Sequence, residues 1–254
     1  MRFPVSVIAW VVAFFVTLFF ASIGIFLIAP FSLIVGWKAR DAMDFLSRIW
    51  GRILLILIPL WDLKIEGRKN INPQKNYVII ANHQSILDIL VVVAGLDLHF
   101  KFLAKKEVFA IPLMGWYMAL AGYIPLIRGN HESAKQAIGY AREHLRRGMS
   151  VLFFPEGTRS LDGEIHDFKL GAFRLAQDER VDILPVVIDG TGDVAPKRSW
   201  LFKKRAHFCL SIGNPISTHG ENVPSFEKIS ASVREEMKAR LAVIRGRTNP
   251  GHKA

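Results

Sequence analysis

Tyr77-Val78-Ile79-Ile80-Ala81-Asn82-His83-Gln84-Ser85-Ile86-Leu87-Asp88 opens as an apolar run and then breaks into polar residues, with four residues separating a histidine from an aspartate. A short, continuous apolar run that ends on polar turn residues reads as a buried strand, so this segment is a strand end opening into a loop. Similar runs recur along the chain. The strands expected are Tyr77–Ala81, His99–Ala104, Tyr123–Ile127, Ser150–Phe154, Asp182–Ile188 and Ala206–Ile212. Between the third and fourth, Ala134, Ala137, Ile138, Ala141 and Leu145 recur at helical spacing, which predicts a helix from His131 to Arg147 that stops at Gly148. A last helix starts near Pro224 and carries Phe226, Ile229, Val233, Met237, Leu241 and Ile244 on one face. Alternation of this kind predicts an α/β fold with a mostly parallel sheet flanked by helices, in two or three layers. Ligands of such sheets gather at the carboxyl ends of the strands, where His83 falls.

The residue pair points to base chemistry. A neutral imidazole whose Nδ1–H is held by a carboxylate keeps Nε2 free to take a proton from a hydroxyl, near neutral pH. About seventy residues later, Phe153-Phe154-Pro155-Glu156-Gly157-Thr158-Arg159-Ser160 follows another apolar run, Val151-Leu152, and reads as a second strand end. An arginine in such a loop offers a planar fork of donors to a phosphate, and Glu156 can hold that fork or orient a hydroxyl.

With these segments on the page, the chain resembles the glycerolipid acyltransferases, and most closely the bacterial 1-acylglycerol-3-phosphate (lysophosphatidate) acyltransferases. The family's first motif, His then four residues then Asp, matches His83 and Asp88. The second resembles Gly122-Tyr123-Ile124-Pro125-Leu126-Ile127-Arg128, with Pro125 a departure from the pattern. The third, Phe-Pro-Glu-Gly-Thr-Arg-Ser, is met by Phe154 to Ser160, and the fourth is similar to Ile183-Leu184-Pro185-Val186-Val187. Similarity covers roughly residues 75 to 215.

The resemblance implies transfer of a fatty acyl group from a thioester, acyl-CoA or acyl-carrier protein, to the sn-2 hydroxyl of lysophosphatidic acid, giving phosphatidic acid. His83 is then the base and Asp88 fixes its tautomer. Arg159, Lys105 and Arg128 hold the acceptor phosphate, and Glu156, Gly157 and Thr158 orient the acceptor. Ser85 and Ser160 are not nucleophiles, and Ser85 is expected to cap the helix carrying Asp88. Gly115 and Ala119, in the apolar segment Val108–Met118 and just beyond it, are expected either to line an acyl-chain tunnel or to pack in an ordinary core. Lys105 and Lys106 also fit an exposed helix start.

Between Arg2 and Lys38, 35 residues include no Asp, Glu, Lys or Arg. One straight helix of that length would reach about 50 Å against a hydrocarbon core of about 30 Å. Gly24, Pro30 and Gly36 offer breaks, and a second apolar stretch runs from Ile53 to Trp61, near Pro59. The run far exceeds the apolar region of a cleaved signal peptide. It reads either as a transmembrane span or as two helices inserted from one side. In the second helix Phe45, Leu46, Ile49 and Ile53 share a face, while Arg40, Asp44, Arg48 and Arg52 are expected to stay wet. The expected organisation is an N-terminal two-helix membrane anchor, 1–62, and an α/β acyltransferase domain, 63–254, on the cytoplasmic side of the inner membrane.

The net charge of +11 asks for an acidic partner, and anionic phospholipid headgroups answer it. Its densest patch is Lys197-Arg198 with Lys203-Lys204-Arg205, interleaved with Trp200, Leu201 and Phe202. Nucleic acid is disfavoured because no nucleic-acid motif accompanies the anchor. The single cysteine, Cys209, excludes an internal disulfide, fits a reducing compartment and sits in a strand-like apolar run as core. The eight histidines lack metal-ligand spacing and no dinucleotide or P-loop glycine pattern is present, so no metal and no cofactor is expected. The alternatives are an acyltransferase for another lysolipid or for glycerol 3-phosphate, and a non-catalytic membrane lipid-binding protein.

Overall fold

The computed structural model of the chain describes residues 2–35, 39–58, 61–195, 201–202 and 206–248. The N-terminal apolar run is one long helical rod, α1 (Arg2–Ile23) and α2 (Ala29–Val35) joined by a π-helical turn, Gly24–Ile28. The cause is local: Pro30 has no N–H to donate, and the backbone widens just before it, with the Ala29 N–H reaching back to the Gly24 carbonyl. The rod therefore does not break at Gly24 or Pro30, while Gly36 lies outside the described residues. A second helix follows, α3 (Ala39–Leu57).

The body continues with β1 (Trp61–Glu66), β2 (Val78–Ala81), α4 (Leu87–Gly95), β3 (Phe100–Lys105), α5 (Met114–Leu120), β4 (Ile124–Leu126) and α6 (His131–Arg146). Then come β5 (Ser150–Phe153), α7 (Gly171–Asp178), β6 (Ile183–Asp189), the single turn α8 (Thr191–Val194), β7 (Ala206–Ile212) and α9 (Phe226–Thr248). The strand order is β1-β7-β6-β2-β5-β3-β4. Only the β6–β7 pairing is antiparallel. β6, β2, β5, β3 and β4 thus run the same way and end at one edge.

Alternation along β2 builds the three layers. Val78 and Ile80 face the side covered by α6, α7 and α9, and Ile79 and Ala81 face the side of α3 and α4. All four are fully buried, as expected of a parallel strand covered on both faces. α4 is apolar on every side and almost wholly buried, sandwiched between sheet and α3. The α9 face formed by Ile229, Val233, Met237, Leu241 and Ile244 is buried as its spacing predicts.

The expected boundary between 62 and 63 falls within β1, which begins at Trp61, and Ala9, Met43, Leu54 and Ile58 of the N-terminal helices belong to the main core. One expectation is corrected. Asp44 does not stay wet. It is buried on α3, where its Oδ1 accepts from Nζ of Lys101, fully buried on β3, at 2.5 Å. A buried ammonium needs a buried carboxylate, and this pair draws α3 down onto the sheet. Phe45, by contrast, is exposed, and Arg52 stays half-exposed while pairing with Asp97 at 2.7 Å. The side chain of Arg40 and the basic residues Lys197, Arg198, Lys203, Lys204 and Arg205, with Trp200, lie outside the described residues.

Around that pair lies a polar seam. Ser47 on α3 bonds the hydroxyls of Tyr117 at 2.8 Å and Tyr123 at 3.2 Å, and Tyr117 donates to the Met43 carbonyl at 2.6 Å. The Tyr117 ring presses on Gly24, where a Cβ would lie 2.4 Å from its Cε2, so a side chain at position 24 would push the rod away.

Removing one member of the buried pair leaves an uncompensated charge, so Asp44→Ala is expected to cost about 3–5 kcal/mol. The double variant Asp44→Leu/Lys101→Met should recover most of the loss, as read by thermal unfolding in detergent.

Candidate active site

β2 delivers His83 to the sheet edge, and Asn82 fixes the exit. The Asn82 side chain donates to the Ile188 carbonyl and accepts from the Ile188 N–H, both at 2.8 Å, extending the β2–β6 ladder by a side-chain amide. His83 follows with Nδ1 at 2.7 Å from Oδ2 of Asp88. That same oxygen accepts the backbone N–H of Gln84 at 2.7 Å and of Ser85 at 2.9 Å. Asp88 has no exposed surface and the His83 ring little. No other hydrogen bond to the ring occurs among the described residues, so Nε2 has no hydrogen-bond partner among them. Phe154 stacks on the imidazole, ring centroids 4.2 Å apart and 22° from parallel.

Ser85 does not cap α4 from the N-cap position, which Ile86 occupies. Its hydroxyl accepts weakly from the Leu87 N–H at 3.3 Å and donates to the Ala195 carbonyl at 2.8 Å. The Ser160 hydroxyl donates to Asp162 at 2.8 Å.

The loop after β5 closes on the same spot, with the Ser160 N–H donating to the His83 carbonyl at 2.8 Å. Glu156 turns its carboxylate to backbone, one oxygen accepting the His83 N–H at 3.1 Å and the other the His166 N–H at 3.3 Å. Burial pushes its carboxyl up, against the pull of those two amides. Glu156 therefore braces the His83 loop. Gly157 takes φ +73° and sits under the Lys169 ammonium, which would be 2.8 Å from a Cβ there; Thr158 is exposed and Arg159 half-buried beside it.

Cations collect along this edge. Lys105 ends β3 and Arg128 lies just past β4, its neighbour in the sheet. The Arg128 guanidinium is pushed below its ordinary value by partial burial and then by the charge of Arg159, while Glu107 opposes the shift. Lys105 pairs with Glu107 at 3.1 Å and is exposed, at the start of a 3₁₀ turn formed by Lys106–Ala110.

Gly115 is packed under Phe109, whose carbonyl oxygen would be 2.1 Å from a Cβ, and Ala119 faces outward. An apolar cleft of about 600 Å³ lies between the N-terminal helices against Phe26, Phe31, Phe45 and Ile49. One group of possible metal ligands, Asp41, Asp44 and His99, comes together among the described residues, but the Lys101 ammonium already supplies the positive charge there. Cys209 is buried on β7, its thiol pushed up to about 11 by burial.

A histidine oriented by an aspartate, beside a Pro-Glu-Gly-Thr-Arg loop at the carboxyl edge of a parallel sheet, invites comparison with known proteins. Residues 62–189 match the acyltransferase family. The chain belongs to the acyltransferase family. It is 36% identical over 192 residues to a chloroplastic 1-acyl-sn-glycerol-3-phosphate acyltransferase of Arabidopsis thaliana, covering 75% of this chain and 52% of that one. To the 1-acyl-sn-glycerol-3-phosphate acyltransferase of Saccharomyces cerevisiae it is 32% identical, covering 82% of this chain and 68% of the other. This acyltransferase spans about half the length of the plant and algal relatives it matches. Its fold is similar to the crystal structure of the 1-acyl-sn-glycerophosphate acyltransferase of Thermotoga maritima, with TM-score 0.72, 29% identity, and coverage of 93% of this chain and 98% of that one.

Sequence reading missed Phe154 as a stacking partner, Lys169 over the loop, and Thr191, whose hydroxyl donates to Oδ1 of Asp88. Phe154 stands inside a quoted stretch, so its position was visible and its direction was not. Gly115→Ala should destabilise this acyltransferase by about 1–3 kcal/mol through overpacking. Ala119→Leu should leave stability within about 0.5 kcal/mol, and thermal unfolding with acyl-chain profiling of the second variant checks both positions.

Proposed function

We propose that this acyltransferase moves a fatty acyl group from a thioester, acyl-CoA or acyl-carrier protein, to the sn-2 hydroxyl of lysophosphatidic acid. The observation that carries the reading is the His83–Asp88 contact of 2.7 Å at the same sheet edge as Lys105, Arg128 and Arg159. Relatives bearing that activity in their names support it.

His83 Nε2 takes the proton as the hydroxyl oxygen attacks the thioester carbonyl, forming the new C–O bond. Asp88 holds Nδ1–H and stabilises the imidazolium. When the tetrahedral intermediate collapses, the C–S bond breaks and the departing sulfur takes the proton back. Arg159, Arg128 and Lys105 hold the acceptor phosphate, each charge-assisted contact contributing about 1.5–3 kcal/mol, and Gly157 and Thr158 form the loop against which the acceptor lies. The product is phosphatidic acid.

The rod from Phe3 to Ile34 is long and apolar enough to cross a membrane, and only 17% of its most apolar window is buried. We place these helices in the inner membrane, with the body on the cytoplasmic side among anionic headgroups that suit the net charge of +11.

Purified protein in detergent, given radiolabelled acyl-CoA or acyl-carrier protein and a panel of lysolipids, should label phosphatidic acid above other products. A preferred product from another acceptor would redirect the assignment. His83→Ala should lower kcat by about 10² to 10⁴ with substrate binding less affected. Arg159→Ala should raise the KM for lysophosphatidic acid far more than that for the donor, and an equal rise in both would move Arg159 to the donor site.

A further inference from the structure

The His83–Asp88 pair has a third partner that none of the quoted motifs contains. At the end of β6, Gly190 takes φ +87°, and a Cβ there would lie 2.2 Å from the His207 carbonyl oxygen. Only glycine fits that turn, which brings Thr191, with no exposed surface, onto the far side of Asp88. Oδ2 of Asp88 already accepts from His83 Nδ1, Gln84 N and Ser85 N. Oδ1 accepts from the Thr191 hydroxyl, its one partner among the described residues. The turn is itself held in place. Ser85 Oγ donates to the Ala195 carbonyl at 2.8 Å, and Arg245 of α9 donates to Asp189 at 3.2 Å and to the Gly163 carbonyl at 2.7 Å.

A carboxylate bound through one oxygen can still rotate about its Cβ–Cγ bond, whereas donors at both oxygens fix its plane. We propose that Thr191 is a positioning residue: its hydroxyl locks the Asp88 carboxylate so that Oδ2 faces His83 Nδ1 and, through the ring, Nε2 faces the acceptor hydroxyl. The inference rests on the acyl-transfer reading given above.

Thr191→Val keeps the shape and removes the donor, leaving Oδ1 buried without a partner. Its kcat is expected to fall about 10- to 100-fold, the loss of one charge-assisted hydrogen bond, with both KM values within about twofold of the original protein. Thr191→Ser, which keeps the hydroxyl, should retain most of the activity. If the valine variant does not fold, Thr191→Ala against Thr191→Ser makes the same comparison. A second readout needs no turnover: the low-field proton resonance of His83 Nδ1–H, identified by its loss in His83→Gln, should shift or vanish in Thr191→Val and persist in Thr191→Ser. A valine variant with ordinary kcat and an unchanged resonance overturns the proposal, as does a serine variant as impaired as the valine one. Failure of the unaltered protein to acylate any lysolipid refutes the acyl-transfer reading instead, while the resonance comparison still decides the role of Thr191.

Discussion

A carboxylate with no exposed surface keeps its charge in a protein interior only when donors surround it. Asp88 meets that condition with a ring N–H, two consecutive backbone N–H groups and a hydroxyl. Much of the surrounding architecture exists to bring those four donors together. β2 must end where it does for Gln84 and Ser85 to turn back on the carboxylate. β6 must lie beside β2 for the next turn to present Thr191, and the Asn82 amide joins the two strands at the last rung. α4 must begin at Leu87 for Asp88 to point inward from its first turn.

The sheet edge adds the second component. Parallel strands that stop together present their loops on one side, so β2, β5, β3 and β4 supply His83, the Glu156–Arg159 loop, Lys105 and Arg128 to a common surface. Glu156 links these components: by accepting the His83 N–H it ties the loop after β5 to the loop after β2.

β2, β5 and β6 were legible because they are buried on both faces and so read as unbroken apolar runs, and Ala206–Ile212 came out with its limits intact. β1 was equally marked in principle. Trp61, Leu63 and Ile65 alternate with Asp62, Lys64 and Glu66, the period of an edge strand, but an apolar stretch running up to Trp61 masked it. Motif residues declared themselves by residue type, and the fold explains why type was not enough for direction. Glu156 was legible as a polar group at a strand end, but not its bonds to the His83 and His166 N–H groups, because backbone donors are invisible to side-chain reasoning. Asp44 sat among arginines on a helix and read as solvated, yet its partner Lys101 lies on a strand far along the sequence. Thr191 could not be found at all without knowing that β6 neighbours β2.

The seam of Asp44, Lys101, Ser47, Tyr117 and Tyr123 joins the second N-terminal helix to the sheet by buried polar contacts rather than by a linker. In a bilayer, such a joint removes the swivel that a tethered enzyme uses to scan the surface. At such a surface, the height and tilt of the His83 edge would be set by the folded chain itself.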